Sequence, residues 1–160
     1  MREKFTDDEW QLIRTLPFQV WVAVAAADGN IDEAEAKFLD ADLKEGALAY
    51  KDPLMREIAT DFYRSSVTGA EMLAAAAEAF KSEAAAARIK TILDDKLTKP
   101  EQERFWGGLV ILGMDTARAS GGGGFLKKKD PISEEEKKAL FIFTIKYGID
   151  LQKSLSYFKE

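Results

Sequence analysis

The 160-residue chain contains no cysteine and no histidine. Disulfides, thiol nucleophiles, imidazole acid–base chemistry and the usual Cys/His zinc sites are therefore excluded. What remains for metal chemistry is carboxylate, amide, hydroxyl and carbonyl oxygen, the ligand set of hard cations such as calcium and magnesium. A basic surplus is also missing: 23 Lys and Arg stand against 28 Asp and Glu, a net charge of −5. That balance argues against a general nucleic-acid binder. Long apolar runs are absent too. The longest, Val20 to Ala27, falls far short of the ~20 residues that cross a bilayer. Met1 to Trp10 is mostly charged and polar and does not read as a signal peptide. The expectation is a soluble cytoplasmic protein.

What is present is a globular composition, 46% hydrophobic and 32% charged. The length suits one domain, residues 1–160, which would bury about 70% of the surface its unfolded chain exposes. Helix-start signals recur along it. Thr6 with Glu9, Asp32 with Glu35, Thr68 with Glu71, Thr98 with Glu101 and Ser133 with Glu136 all have capping-box spacing. Asp52-Pro53 adds a cap followed by a proline suited to the first turn. No stretch reads as a strand.

From these signals a first helix is expected from about Asp7 to Leu16, ended or kinked by Pro17. A second carries Phe18, Trp21, Val22 and Ala25, and a third runs from about Asp32 to Lys44. Past Pro53 comes a helix bearing Leu54, Ile58 and Phe62. Another begins at Thr68, and Ala84 to Leu97 either continues it or follows a break near Ser82. Thr98 opens a long helix with Phe105, Leu109 and Leu112; Ser133 opens one with Leu140, Phe141 and Ile145. Tyr147-Gly148 closes that one, before a short helix with Leu151, Leu155 and Phe158. The aromatic and alanine stripes read as core packing.

The most distinctive segment is Ala25-Ala26-Ala27-Asp28-Gly29-Asn30-Ile31-Asp32-Glu33-Ala34-Glu35. Gly29 can close one helix and Asp32 with Glu35 can open the next. Asp28 is the exception, a carboxylate at the negative end of a helix dipole. It requires compensation, either from backbone N–H groups of the following helix or from a cation. The pattern Asp28-x-Asn30-x-Asp32 begins like an EF-hand loop. The sixth position, however, is Glu33 where glycine is needed, and the twelfth is Leu39 where a bidentate glutamate is needed. An EF-hand is rejected. An oxygen site built from Asp28, Asn30, Asp32 and Glu35 remains open beside the reading in which these residues only cap helices.

The pattern Ala27-Asp28-Gly29-x-Ile31-x-x-x-Glu35 resembles the signature of the TerB-like family of tellurite-resistance proteins. The resemblance implies an all-α fold, a single bundle of about seven to nine helices with an imperfect internal duplication. A second copy is legible. Ile31-x-x-x-Glu35-x-Lys37-x-Leu39 recurs as Ile132-x-x-x-Glu136-x-Lys138-x-Leu140, an offset of 101 residues, and Thr6-x-x-Glu9 recurs as Thr98-x-x-Glu101, an offset of 92. The pseudo-repeats are about 6–80 and 98–160. The nine-residue difference in offset falls in a glycine-rich insertion at about 121–130. By position Glu136 matches Glu35, which adds it to the candidate metal ligands, whereas Ser120 replaces Asp28.

The resemblance further implies a bacterial stress or tellurite-resistance role and divalent-cation binding through such acids, with calcium or magnesium as the ion. Without cysteine, no side chain here captures tellurium through a thiol. TerB-like modules also occur joined to J-domain co-chaperones, so an ion-independent protein-binding adaptor is the alternative. Catalysis by an Asp28–Glu35 acid–base pair is the least favoured reading, because both residues have capping roles available. No substrate is indicated, and the expectation is a non-enzyme with protein partners and no nucleic acid. The tract Gly121 to Gly124 lacks the Gly-Lys-Ser/Thr ending of a phosphate loop. The Phe125-Leu126-Lys127-Lys128-Lys129 segment after it suits either peripheral contact with an anionic membrane or a solvated loop whose lysines offset Glu134 to Glu136.

Overall fold

Side-chain caps mark where this chain turns into helix. The computed structural model describes residues 1–25, 50–120 and 132–159. A 3-10 turn, Arg2–Lys4, precedes α1 (Asp7–Ile13) and α2 (Leu16–Ala25). Then follow α3 (Pro53–Arg64), α4 (Gly69–Lys81), α5 (Glu83–Lys96), α6 (Lys99–Ser120), α7 (Glu134–Tyr147) and α8 (Leu151–Ser156). Among the described residues there is no strand. The helix expected over Asp32–Lys44 lies outside them.

Thr6, Thr68 and Ser133 each accept the N3 backbone N–H while the N3 glutamate accepts theirs, so three of the expected boxes are complete. Thr98 donates its backbone N–H to Glu101 at 2.7 Å. Asp52 caps α3 by accepting from Met55 N at 2.8 Å, with Pro53 in the first turn. Ser82 decides the question left open near the alanine run. Its extended backbone ends α4, and its hydroxyl accepts from Ala85 N at 3.1 Å to start α5.

One boundary differs from expectation. α1 ends at Ile13, and α2 already includes Pro17. Proline lacks an N–H that the first turn of a helix does not use, so Pro17 begins α2 and does not interrupt α1.

α2 is the central element. It packs against α6, α4 and α7. Its residues Leu16, Val20 and Val24 enter a large core with Trp10, Ile13, Leu54, Ile58, Ile89, Phe105, Leu109 and Phe143. Phe18 and Trp21 enter a second cluster with Ala59, Met72 and Ala76. A helix apolar around its whole circumference needs cover on every side, and α2 has it. Its one buried amide, Gln19, donates to Thr15 Oγ1 at 2.8 Å and accepts from the Tyr147 hydroxyl at 2.5 Å. Burial pushes the Tyr147 hydroxyl well above the ordinary tyrosine range.

α6 is flanked by two short-range devices. Gln102 donates to the carbonyls of Leu93 and Leu97, at 3.2 and 3.1 Å, and so closes the C-terminus of α5 from the next helix. Gly107 lets α8 approach closely, since a Cβ there would collide with the Ser154 carbonyl. α7 ends at Gly148, whose φ of 62° is the left-handed cap that favours glycine.

The core face of α7 is not the one the sequence suggested. Leu140, Phe143, Thr144 and Tyr147 point inward, whereas Phe141 and Ile145 are exposed at 59% and 63%. In the second half of this helix, residues 139–147, apolar residues fall on several sides, so spacing alone gives no preferred side; the Trp106 and Phe80 rings and the Gln19 amide select it.

Candidate functional site

Of the five expected metal ligands, Asp28, Asn30, Asp32 and Glu35 lie outside the described residues, as does the insertion 121–130. Glu136 is described, and it completes the N-terminal cap of α7. It accepts the Ser133 N–H at 2.8 Å while its own N–H donates to Ser133 Oγ at 3.2 Å. The side chain is buried, at 8% exposure. Three glutamates in the first turn of α7 also complement the positive end of the helix dipole. Among the described residues, no group of three or more Asp, Glu, His or Cys side chains could hold a metal ion.

The surface feature that stands out among the described residues is the outward face of α7. The inward face is fully engaged. Tyr147 stacks on Trp106 at 5.2 Å, Phe143 lies 6.3 Å from Phe80, and Lys146 pairs with Glu83 at 2.8 Å while sitting over the Phe80 ring. On the other side Phe141, Ile142 and Ile145 stand at 59%, 57% and 63% exposure. They lie within about one helical turn of one another and form one contiguous patch. Of the four large hydrophobic side chains exposed among the described residues, three are here. Lys138, one turn earlier on the same stripe, is exposed, and Lys137 is tied to Glu134 at 2.6 Å.

Covering these three side chains would contribute roughly 3–5 kcal/mol, from about 1.5–3 kcal/mol per fully buried side chain scaled by their exposure. Singly exposed hydrophobes need no explanation; a contiguous apolar patch marks a contact surface. The sequence reading missed this face because it placed Phe141 and Ile145 in the core and did not single out Ile142. The signal was present in Leu140-Phe141-Ile142-Phe143, four consecutive large apolar residues on a helix.

The described residues thus form an all-helical fold with an exposed apolar patch on one helix. No helix among the described residues is long and apolar enough to cross a membrane. Comparison with protein-family models, with curated proteins and with solved structures gives no match.

Proposed function

We propose that the protein is a non-enzymatic interaction module of the TerB-like type, which docks on a protein partner through the outward face of α7. The observation that carries this reading is the Phe141–Ile142–Ile145 patch on a helix whose opposite face is already fully packed. Its biological setting, a bacterial cytoplasmic stress or tellurite-resistance system, rests on the Ala27-Asp28-Gly29-x-Ile31-x-x-x-Glu35 resemblance. The helix starts support a duplication. At the offset of 92, Asp7 at the start of α1 corresponds to Lys99 at the start of α6. The broken pair α1–α2, residues 7–25, then corresponds to the single rod α6, residues 99–120. In this reading Asp28, Asn30, Asp32 and Glu35 make the module responsive to calcium or magnesium.

The alternative is an ion-independent adaptor, in which the carboxylates of the acidic turn only cap helices. Two measurements test these readings. Partner capture from a bacterial lysate should retain a protein that Ile142→Lys loses while the melting temperature stays the same. No difference between wild type and Ile142→Lys would overturn the docking face. A rise in melting temperature with calcium or magnesium, abolished by Asp28→Asn, selects the ion-responsive module. No rise selects the adaptor.

A further inference from the structure

An open cleft of about 320 Å³ lies between the N-terminal segment and α3, away from the residues of the α7 patch. Charged groups line it, and most of them are already satisfied. Glu57 accepts from the Met1 ammonium at 2.7 Å and from the Arg2 N–H at 2.5 Å. Asp61 accepts from Trp10 Nε1 at 3.1 Å and pairs with Arg14 at 3.1 Å. The Arg2 guanidinium lies 5.0 Å from the centre of the Trp10 ring and is bonded to the Asp7 carboxylate and the Phe5 carbonyl. Two lining charges remain, Arg56 and Arg64. Both are exposed, and neither guanidinium has a hydrogen bond or ion pair among the described residues, although Arg56 lies near enough to the buried Asp52 carboxylate to favour its charge. They stand one turn to either side of Thr60 on the same face of α3, about 12 Å apart along the helix axis.

We infer that this cleft binds the phosphate group of a small phosphorylated molecule, held between Arg56 and Arg64. With the carboxylates compensated inside the chain, the unbalanced charge at the surface of the cleft is positive. Guanidinium forks match oxyanions in bidentate geometry, which ammonium groups do not. A phosphate carries nearly two negative charges and three strong acceptor oxygens. It can therefore meet both forks at once over Thr60, where a single planar carboxylate would occupy only one. The cleft is at the small end of the ~300–1,000 Å³ range of small-molecule sites, and its charged lining disfavours an apolar ligand.

The test is a titration of isotope-labelled protein at fixed ionic strength, following the Trp10 indole N–H resonance. The probes are inorganic phosphate, pyrophosphate and succinate. Phosphate and pyrophosphate should give saturable shifts in the millimolar range, with succinate weaker than both. Arg56→Gln and Arg64→Gln should each weaken phosphate binding about tenfold, the loss expected for one charge-assisted contact. Arg88→Gln, which removes an exposed arginine outside the cleft lining, should leave it unchanged. Because Arg56 and Arg64 are exposed, circular dichroism should show both variants folded. The inference is overturned by the absence of a saturable shift, by unaltered affinity in the Arg56 and Arg64 variants, by an equal loss in Arg88→Gln, or by tighter binding of succinate than phosphate.

Discussion

α2 and the second half of α7, residues 139–147, pose the same packing problem and meet different fates. Each of these stretches carries large apolar residues around most of its circumference, so neither offers a single apolar side by which to rest on a surface. α2 resolves this by lying between two core clusters, with Leu16 and Val20 in one and Phe18 and Trp21 in the other. α7 lies at the edge, with Phe143 and Tyr147 covered and Phe141, Ile142 and Ile145 exposed. Apolar content therefore reports how much cover a helix requires, and the position in the bundle decides who supplies it. For α2 it is the chain itself; for α7 the uncovered half is the surface on which the proposed docking rests.

Substitutions on the two helices should separate them sharply. The largest effect is expected at Trp21, fully buried in the second cluster: Trp21→Ala should cost about 3–5 kcal/mol in denaturant unfolding. Trp21→Phe should cost clearly less. Among the described residues the indole N–H has no hydrogen-bond partner, so replacing it sacrifices volume but no bond seen there. Equal losses for the two variants would mean that α2 is held by something other than packing volume.

An intermediate effect is expected where the two helices meet. Tyr147→Phe keeps the ring against Trp106 and removes the hydroxyl that donates to Gln19. It leaves a buried amide oxygen without that donor, at a cost of about 1–3 kcal/mol. Adding Gln19→Leu should recover part of the loss, because both polar partners are then gone. A double variant less stable than the sum of the singles would break the assignment.

The smallest effect belongs to the outward face. Phe141→Ser, Ile142→Ser and Ile145→Ser should each change unfolding stability by less than about 0.5 kcal/mol. A loss comparable to that of Tyr147→Phe at any of the three would show that the face is covered within the chain, and the contrast with α2 would disappear.

The sequence made some of this legible and hid the rest for physical reasons. Helix starts were readable wherever the signal is local. Thr6, Thr68, Ser133 and the Asp52-Pro53 pair act on backbone groups within three residues and were located correctly. Pro17 was misjudged because the same residue ends one helix or begins another, and the turn at Arg14 and Thr15 settles which. The side of α7 that faces inward could not be read from spacing. It depends on Trp106, Phe80 and Gln19, all at least 35 residues from the nearest of Phe141 and Ile145. The Arg56–Arg64 cleft escaped notice because its isolation of two charges is visible only once Glu57 and Asp61 have found their partners. The acidic turn, the most distinctive stretch of the sequence, lies outside the described residues.

The hydrogen bond between Tyr147 and Gln19 spans 128 residues of chain. Closing so wide a loop is entropically expensive, and contacts of high sequence separation slow the search for the native state. The inward rings of α7 gain their cover only when Gln19 and Trp106, from distant parts of the chain, are in place. Until then its inward rings and its outward patch are both open to solvent, the condition under which partly folded chains associate.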